Sequence, residues 1–332
     1  IIAKGQYPIP FRTRKSSLSA PMVLCLKTRK SRTLPGISKM KNLIVVTGGA
    51  GFVGSNLIEF LLKKTKYKII SLDNYSSGSK KNNIKNKRVK YLTGHTSEIK
   101  KILDKYKKNI KSIFHFGEFS RIYQSFKKFD ECYQSNSIGS QAVFKFCLDN
   151  KVKLIYSATS ATLGNKGNDK NLSPYAFTKS KNLELLENLK KWFNFKFEII
   201  FFYNVYGPRQ IEVGDMATVI GIFENKYLNK KPLTVVKPGN QTRRFTHIYD
   251  TVQVCFEAFK ADKCKYYSIT SRNFYSILQV AKMFNSKIIL LKPRLGERYA
   301  SALTKISNNN KIIQKFGKLR LKDYISSFIN LH

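Results

Sequence analysis

The sequence predicts an α/β protein built on a doubly wound parallel sheet. Near residue 43 an apolar run leads into a glycine-rich turn and then into a helical pattern. Further short apolar runs alternate with stretches of helical spacing, which is the order expected of parallel strands joined by helices. At 332 residues, 42% of them hydrophobic, the chain is long enough for one large α/β unit or two modest domains.

The first element of this pattern is the segment from residue 43 to residue 56. The run from Leu43 to Val46 is apolar without alternation, which predicts a buried strand. Gly48 lets the chain turn tightly, Gly51 lets the backbone approach a pyrophosphate, and Gly54 lets the helix lie against the strand. The helix start adds unpaired N–H groups and partial positive charge. The segment predicts a dinucleotide site, because a glycine-rich surface turn explains neither the strand nor the helix.

An acidic residue ends the next predicted strand. Lys68 to Leu72 forms that strand, and Asp73 follows it about 20 residues beyond the last glycine of the turn. An acid at this position binds a ribose 2′-hydroxyl and repels a 2′-phosphate, so the sequence favours NAD over NADP. A turn aspartate before Asn74 explains the residue type but not its position. Two nearby lysines keep NADP open as an alternative, Lys80 and Lys81.

Two later strands are followed by polar or charged residues. Val89 to Thr93 predicts the third strand, and a Gly-His pair ending at His95 comes after it. Ser112 to Phe116 predicts the fourth strand. Glu118 and Arg121 follow it closely and are expected at the mouth of the site. Substrate contact and a simple ion pair are both open for these two charged residues.

A tyrosine and a lysine give the strongest chemical signal. Tyr175 and Lys179 are four residues apart, so on a helix both side chains lie on one face. A phenol and the ammonium that lowers its pKa need this arrangement. The preceding strand, Lys153 to Ala158, ends in a hydroxyl-rich stretch that includes Thr159. Such a pair also arises by chance on helices, but the glycine turn and Asp73 make the joint pattern specific.

The formal net charge of +41 raises the question of nucleic-acid binding, since a dense basic face attracts phosphate. The lysines are instead scattered through every segment with asparagines between them, which indicates a composition bias and makes nucleic acid an unlikely partner. No apolar run approaches the roughly 20 residues needed to span a bilayer. The five cysteines and the histidines show no metal-ligand spacing. We expect a soluble, cytoplasmic protein without a structural metal or membrane partner.

Residues 1–39 differ from the rest of the chain. They contain nine Lys or Arg, no acid and no hydrophobic periodicity. Met40 stands just ahead of the first strand. We expect this extension not to belong to the fold, with Met40 as the true start of translation. An Arg- and Ser-rich transit peptide is the alternative.

These motifs resemble those of the extended short-chain dehydrogenase/reductases. Within that superfamily the chain is similar to the NAD-dependent nucleotide-sugar epimerase/dehydratase family, which includes UDP-glucose 4-epimerases. The resemblance is carried by the glycine spacing and by two stretches, residues 173–179 and 203–209, and it runs from about Met40 to the C-terminus. It implies a mainly NAD-binding Rossmann-type domain over residues 40–203 and a smaller C-terminal α/β domain, mainly substrate-binding, over 204–332, with some interleaving of the chain.

The resemblance implies a set of cofactor-binding residues. They are Gly48, Gly51, Phe52, Val53, Gly54, Asp73, Asn74, Ser77, Gly78, His95, Thr96, Phe116, Gly117, Asn136, Tyr175, Lys179 and Tyr203. His95 departs from the family, which usually has an acid at this position. His95 can donate to the adenine or stack on it, and a plain loop histidine is the alternative. The spacing of apolar residues over 131–150 predicts a helix. Asn136 on it matches the family's Asn-x-x-Gly pattern and is placed behind the cofactor.

The resemblance also implies substrate-binding residues, which are Glu118, Thr159, Asn204, Arg243 and Arg294. Asn204 and Arg243 match positions where the family contacts the sugar or the diphosphate, and a planar guanidinium suits bidentate phosphate binding. Two neighbours depart from the family pattern, because Phe201 replaces an Arg and Arg244 replaces an acid. Arg294 is implied as a second phosphate ligand, with a surface-loop arginine as the alternative.

The implied activity is epimerisation of a nucleotide sugar, most simply at C4, through a transient 4-keto intermediate. Tyr175 is implied to take the proton from the sugar hydroxyl, Lys179 to stabilise the phenolate and Thr159 to orient the hydroxyl. Dehydratases of the family need an acid pair after this Thr, and decarboxylases need a Glu. This chain has Ser160 and Ala161 instead, which favours an epimerase.

Other functions stay open from the sequence. Within the family the alternatives are a nucleotide-sugar ketoreductase, dehydratase or decarboxylase. From another class, the alternative is a non-catalytic nucleotide- or RNA-binding protein on the same fold. The stretch between Thr159 and Tyr175 is shorter than the family leads us to expect, which leaves the identity of the sugar open. The resemblance also implies a homodimer.

Overall fold

The computed structural model describes residues 41–271, 273–296 and 315–332, and for residues 164–167 it describes the backbone. The predicted extension, residues 1–39, and Met40 lie outside the described residues. Among the described residues, no helix is both long enough and apolar enough to cross a membrane.

The strands and helices follow one another in a regular order along the chain. The strands are β1 (Leu43–Thr47), β2 (Lys68–Asp73), β3 (Val89–Thr93), β4 (Ile110–His115), β5 (Lys153–Thr159), β6 (Phe197–Phe202), β7 (Val205–Tyr206), β8 (Leu233–Val236), β9 (Thr242–Arg244), β10 (Thr246–His247), β11 (Tyr266–Ser268), β12 (Phe274–Ser276) and β13 (Ile288–Leu291). The helices are α1 (Phe52–Lys64), α2 (Ile99–Leu103), α3 (Ile122–Lys127), α4 (Phe129–Tyr133), α5 (Ser140–Asp149), α6 (Pro174–Phe193), α7 (Val219–Leu228), α8 (Ile248–Lys260), α9 (Ile277–Lys282) and α10 (Leu321–Leu331).

The largest sheet has seven strands in the order β11-β6-β5-β4-β1-β2-β3. Every neighbouring pair in it is parallel. β1 is buried along its whole length, which explains why its sequence is apolar without alternation. The chain adds strands outward from β1 to β3 and then in the other direction from β4 to β11. The predicted doubly wound α/β fold is therefore confirmed.

Apolar side chains cover both faces of this sheet. Neighbouring residues of β1 point to opposite faces, so Val45 packs into a cluster with Phe144 of α5 and Leu186 of α6. Val46 packs into a second cluster, which includes Leu57 of α1 and residues of α8. Helices thus lie on both sides of the sheet and hold its strand ends in fixed positions.

The smaller part of the structure is built on short strand pairs. β8 pairs with β13 in parallel, and β9 pairs with β12 in antiparallel orientation. Its core contains Phe223, Phe245 and Phe284. After residue 203 the chain also returns to the large sheet, because α8 packs on it and β11 extends it. The proposed division of the chain at residue 203 stays a prediction.

One predicted helix has a different form in the structure. The periodicity of residues 131–150 predicts a single helix, whereas α4 and α5 are joined by a π-helical turn, Gln134–Gly139. Asn136 lies in that turn. Its Oδ1 accepts from Phe119 N at 2.7 Å and its Nδ2 donates to Phe119 O at 3.1 Å. A π-turn often marks a functional position, and this one ties α4 to the loop after β4.

Candidate active site

A cavity of about 670 Å³ opens at the carboxyl ends of the strands of the large sheet. It lies where the strand order reverses, between β1 and β4, which is where doubly wound sheets bind ligands. Most of the residues predicted from the sequence line it, namely Gly48, Gly51, Phe52, Val53, Gly54, Asp73, Asn74, Ser77, His95, Thr96, Phe116, Gly117, Glu118, Thr159, Tyr175, Lys179 and Asn204. One cavity thus contains the glycine turn and the tyrosine-lysine pair.

The glycine turn has no room for side chains at its first and last glycines. Gly48 has a φ of 69°, and a Cβ there would lie 2.8 Å from Gly117 N. A Cβ on Gly54 would lie 2.1 Å from Gly48 O. α1 follows with Gly51 as its N-cap and no side-chain acceptor for its first N–H groups. Those N–H groups therefore suit the phosphates of a dinucleotide.

Asp73 ends β2 beside this turn, and its side chain is almost fully buried. Its Oδ2 accepts from Ala50 N at 2.9 Å, and its Oδ1 accepts from Tyr75 N at 2.8 Å. Burial raises the pKa of Asp73, and the backbone N–H groups oppose that shift. The carboxylate is therefore held against the turn, at the position expected for binding a ribose hydroxyl.

His95 lines the cavity after β3. Its Nδ1 lies 2.8 Å from Ser97 Oγ, and its Nε2 lies 3.4 Å from Ser135 Oγ. Burial lowers the pKa of His95, so the ring is neutral at neutral pH. A neutral ring half-buried in the wall can stack on a base, and adenine contact stays a prediction.

Tyr175 lies in the first turn of α6 because local sequence signals start the helix there. Pro174 occupies the first helical position, which suits its fixed φ. Ser173 Oγ accepts from Ala176 N at 3.1 Å, a favourable N-cap bond. Thr159 ends β5 on the same cavity, and its Oγ1 accepts from Ala161 N at 3.1 Å. The phenol and the threonine hydroxyl therefore both belong to the cavity wall.

Lys179 lies one helical turn after Tyr175 and is 4% exposed. Its Nζ donates to Glu118 Oε2 and to Ser157 O. Nζ also lies 4.7 Å from the ring centroid of Tyr156. Burial lowers the pKa of Lys179, and the neighbouring Glu118 carboxylate opposes that shift. The ammonium is thus fixed on the side of the helix that carries Tyr175.

Glu118 is the partner that holds Lys179, and its side chain is 2% exposed. Its Oε1 accepts from Ser140 Oγ at 2.7 Å, from Tyr156 OH at 3.0 Å and from Asn182 Nδ2 at 3.3 Å. The sequence left open an ion pair or contact with substrate for Glu118, and the structure contains the ion pair with Lys179. Contact between Glu118 and a substrate stays a prediction.

Arg121 crosses the cavity wall to the segment before α7. Its Nε donates to Met216 O at 3.0 Å, and its Nη1 donates to Ser120 O at 2.9 Å. Burial lowers the pKa of Arg121, and Tyr175 opposes that shift. A guanidinium stays protonated in proteins, so Arg121 adds a positive charge near the phenol.

Several predicted residues do not line the cavity: Gly78, Asn136, Tyr203, Arg243 and Arg294. Gly78 lies against Asp73, where a Cβ would be 3.0 Å from Oδ1. Asn136 and Tyr203 are buried. Arg243 is 8% exposed, and its Nη1 donates to Thr242 O at 2.8 Å. Arg294 is exposed and lies over the ring of Tyr123. Their predicted ligand roles stay predictions.

The structure adds polar residues that sequence reasoning did not select. Behind the cavity, Thr47, His115, Ser140, Tyr156 and Asn182 form hydrogen bonds with one another or with Glu118. Asn182 follows Lys179 by three residues, so its helical spacing placed it on the same face. The others come from separate elements, and no local pattern joins them. The segment from Met216 to Ile220 also lines the cavity.

A family model agrees with most of the chain. The model described as the NAD dependent epimerase/dehydratase family matches residues 44–269.

Individual relatives point to the same kind of protein. The chain is 31% identical over 229 residues to an uncharacterised UDP-glucose epimerase of Bacillus subtilis, covering 63% of this chain and 70% of that protein. It is 28% identical over 277 residues to a putative UDP-glucose 4-epimerase of Methanocaldococcus jannaschii, covering 77% and 88%. The solved UDP-glucuronic acid 4-epimerase of Bacillus cereus, in complex with UDP-glucuronic acid and NAD, has a TM-score of 0.76 and 26% identity, covering 87% and 99%.

Proposed function

The chain belongs to the NAD dependent epimerase/dehydratase family, and on this premise we propose that it epimerises a nucleotide sugar at C4 through a transient 4-keto intermediate. The observation that carries the proposal is one cavity lined by the glycine turn, Asp73, Thr159, Tyr175 and Lys179. The named epimerase relatives support a UDP sugar as the substrate.

The residues present fit NAD as the cofactor. Gly48 and Gly54 carry no side chain, so the backbone of the turn packs closely there. The N-terminus of α1 follows the turn and would face the pyrophosphate. Asp73 lies where the adenosine ribose would be bound, with Asn74 and Ser77 beside it. Bound in this position, NAD supplies reversible oxidation at the sugar carbon.

The chain's own contribution to the reaction is proton transfer and orientation. Tyr175 removes the proton from the sugar hydroxyl and later returns one, while Thr159 orients that hydroxyl. A free tyrosine has a pKa near 10, so ionisation near pH 7 needs roughly 4 kcal/mol of preferential phenolate stabilisation. The positive charges of Lys179 and Arg121 supply part of it, since Lys179 lies one helical turn after Tyr175 on the same cavity wall and Arg121 interacts electrostatically with Tyr175.

The position after Thr159 favours an epimerase over other members of the family. Ser160 and Ala161 line the cavity there and bring no carboxylate to assist loss of water or carbon dioxide. Glu118, the nearby carboxylate, is engaged by Lys179. A ketoreductase acting on the same keto sugar is the alternative that uses the same residues.

The experiment that tests the proposal is a substrate panel. The purified protein is incubated with NAD and UDP-, GDP-, ADP- or dTDP-sugars, and products are identified by mass spectrometry and NMR. We expect a sugar of unchanged mass and inverted configuration at C4. Products that have lost water or carbon dioxide, or turnover only with added reduced cofactor, would replace the epimerase by a dehydratase, decarboxylase or ketoreductase.

A first prediction concerns the choice of cofactor. Asp73→Asn removes the charge that repels a 2′-phosphate while keeping a side chain that can accept one of the two backbone hydrogen bonds. We expect the preference for NAD over NADP to fall by at least tenfold, in line with the roughly 1.5 to 3 kcal/mol of a charged hydrogen bond. Dissociation constants for both cofactors, measured by calorimetry, check this. Asp104→Asn, at an exposed surface aspartate, serves as the control and should leave the ratio unchanged.

We further propose a cytoplasmic homodimer. Support for dimerisation comes from large apolar side chains that α4 and α6 expose, among them Phe129, Tyr133, Phe177 and Trp192. Exposed apolar patches of this kind are typical of protein interfaces. Light scattering on the purified protein distinguishes the dimer from a monomer.

A further inference from the structure

Glu118 lies in the loop after β4 and lines the cavity. Its carboxylate is 2% exposed and contacts Lys179. A buried carboxylate costs several kcal/mol unless it is paired and hydrogen-bonded, so its presence needs a physical reason.

Hydrogen-bond directions show that the surroundings are arranged for a negative charge at Glu118. Thr47 Oγ1 accepts from the backbone N–H groups of residues 116 and 117, so its hydroxyl donates to His115 Nδ1 at 2.8 Å. His115 Nε2 then donates to Ser140 Oγ at 3.0 Å, and Ser140 donates to Glu118 at 2.7 Å. The chain of donors that begins at the backbone N–H groups after β4 thus ends on the carboxylate.

Of the described titratable groups that face this pair, His115, Cys132 and Tyr156 are neutral near pH 7, whereas Arg121 is positively charged. Burial lowers the pKa of His115, at the end of β4, to about 4. Burial raises the pKa of Cys132 on α4 to about 11 and that of Tyr156 on β5 well above its usual value. Glu118 therefore supplies the negative charge of the cluster, against the positive charges of Lys179 and Arg121.

We propose that Glu118 is a positioning residue that acts as the internal counter-ion of Lys179. It holds the ammonium of Lys179 in place and sets the pH range over which Tyr175 and Lys179 lose their protons. It acts through Lys179 and touches no reacting atom. This inference rests on the proposed function, because it assigns a partner to the acid-base pair of that same site.

The sign of the effect follows from the charge. Tyr175 and Lys179 titrate as a coupled pair, so their protons leave in steps that belong to the pair. A fixed negative charge opposes loss of a proton from either member and therefore raises the apparent pKa of both steps. Removing it lowers them, because an ionic neighbour within about 4 to 6 Å shifts a pKa by 1 to 3 units.

The test is Glu118→Gln, which keeps the shape and can still accept from Lys179. With its oxygen on Lys179, the new amide turns its NH2 toward Ser140 and Tyr156, whose hydroxyls can rotate to accept from it. The ionisation of Tyr175 is measured in the NAD-loaded protein, without any sugar, as phenolate absorbance relative to the matching Tyr175→Phe protein. We expect the midpoint to move at least one pH unit lower. If the role of Glu118 were purely structural, the substitution would change the stability of the protein or the amplitude of the phenolate absorbance, and the pH midpoint of the titration would stay the same.

The control is Glu184→Gln, which removes the same charge from an exposed ion pair with Lys181 on the same helix. Its Tyr175 midpoint should match the parent's. A Glu118→Gln midpoint within a few tenths of a unit of the parent's, or one shifted upward, overturns the proposal. If Glu118→Gln shows the shift but the parent protein turns over no nucleotide sugar, the proposed function is refuted and the counter-ion is not.

A second variant covers the case in which Glu118→Gln alone does not fold. Lys179→Met/Glu118→Gln replaces both charges at once, so that neither is left buried without its partner. A double variant that folds where the single variant does not supports the ion pair. Failure of the double variant to exceed the stability of Lys179→Met overturns it.

Discussion

Turnover of the nucleotide sugar should fall by 10²- to 10⁴-fold or more when Tyr175 is replaced by Phe, the range typical of losing a positioned proton-transfer group. The substitution deletes the phenol hydroxyl and keeps the ring. Among the residues that the structure describes, Tyr175 is the tyrosine that lines the cavity, so no other described phenol is placed to take the proton by direct contact. Steady-state rates with the sugar identified by the panel check the prediction.

The fold should tolerate this change. The ring of Tyr175 packs in a small cluster with Phe119, Cys132, Ala161 and Ala176, and a phenylalanine ring fills the same volume. We expect the free energy of unfolding to change by about 1 kcal/mol or less, the usual net contribution of one hydrogen bond. Binding of NAD should persist, because the glycine turn and Asp73 are untouched.

The matched control is Tyr249→Phe, which removes a phenol hydroxyl from an exposed tyrosine on α8. Its turnover should stay near that of the parent protein. Near-normal epimerisation by Tyr175→Phe would mean that the proposed chemistry is wrong even though the fold is right. A loss of NAD binding in Tyr175→Phe would point to a structural effect in place of the chemical one.

The parts of the site that sequence could predict are those specified by a short stretch of chain. The glycine turn depends on backbone space at Gly48 and Gly54, and only glycine meets that demand. Tyr175 and Lys179 share a helix face by their spacing alone. The doubly wound sheet could be predicted because buried parallel strands leave unbroken apolar runs.

The parts that sequence could not predict depend on contacts between distant segments. Glu118 and Lys179 are 61 residues apart, and Arg121 reaches Met216 across 95 residues. No local pattern encodes these partners, because the contacts depend on how the loop after β4 packs on α6 and on the segment before α7. β11 is also short, only three residues, too few for periodicity to distinguish a strand from a loop.

The last prediction concerns Lys179, whose replacement by Met should damage stability and turnover together. Lys179→Met keeps an unbranched side chain but leaves the carboxylate of Glu118 buried without its cation. Breaking a buried ion pair in this way typically costs about 3 to 5 kcal/mol. Turnover should also fall, because the ammonium near Tyr175 is lost. Denaturant unfolding and steady-state kinetics measure the two effects separately.

A surface pair on the same helix provides the control. Lys181→Met breaks the exposed ion pair with Glu184, and exposed pairs contribute at most about 1 kcal/mol. Its stability and turnover should both stay near those of the parent. The contrast between positions 179 and 181 then reports the effect of burial, since the substitution is the same.

Adding Glu118→Gln to Lys179→Met should separate the two losses. The neutral amide removes the unpaired charge, so most of the lost stability should return, as expected when a buried charge is removed along with its partner. Turnover should not return, because the double variant still has no ammonium beside Tyr175. Recovery of both would place Lys179 outside the chemistry and make its role structural. A double variant no more stable than Lys179→Met would show that the carboxylate of Glu118 is not held by Lys179, since an unpaired buried charge is what the second substitution relieves.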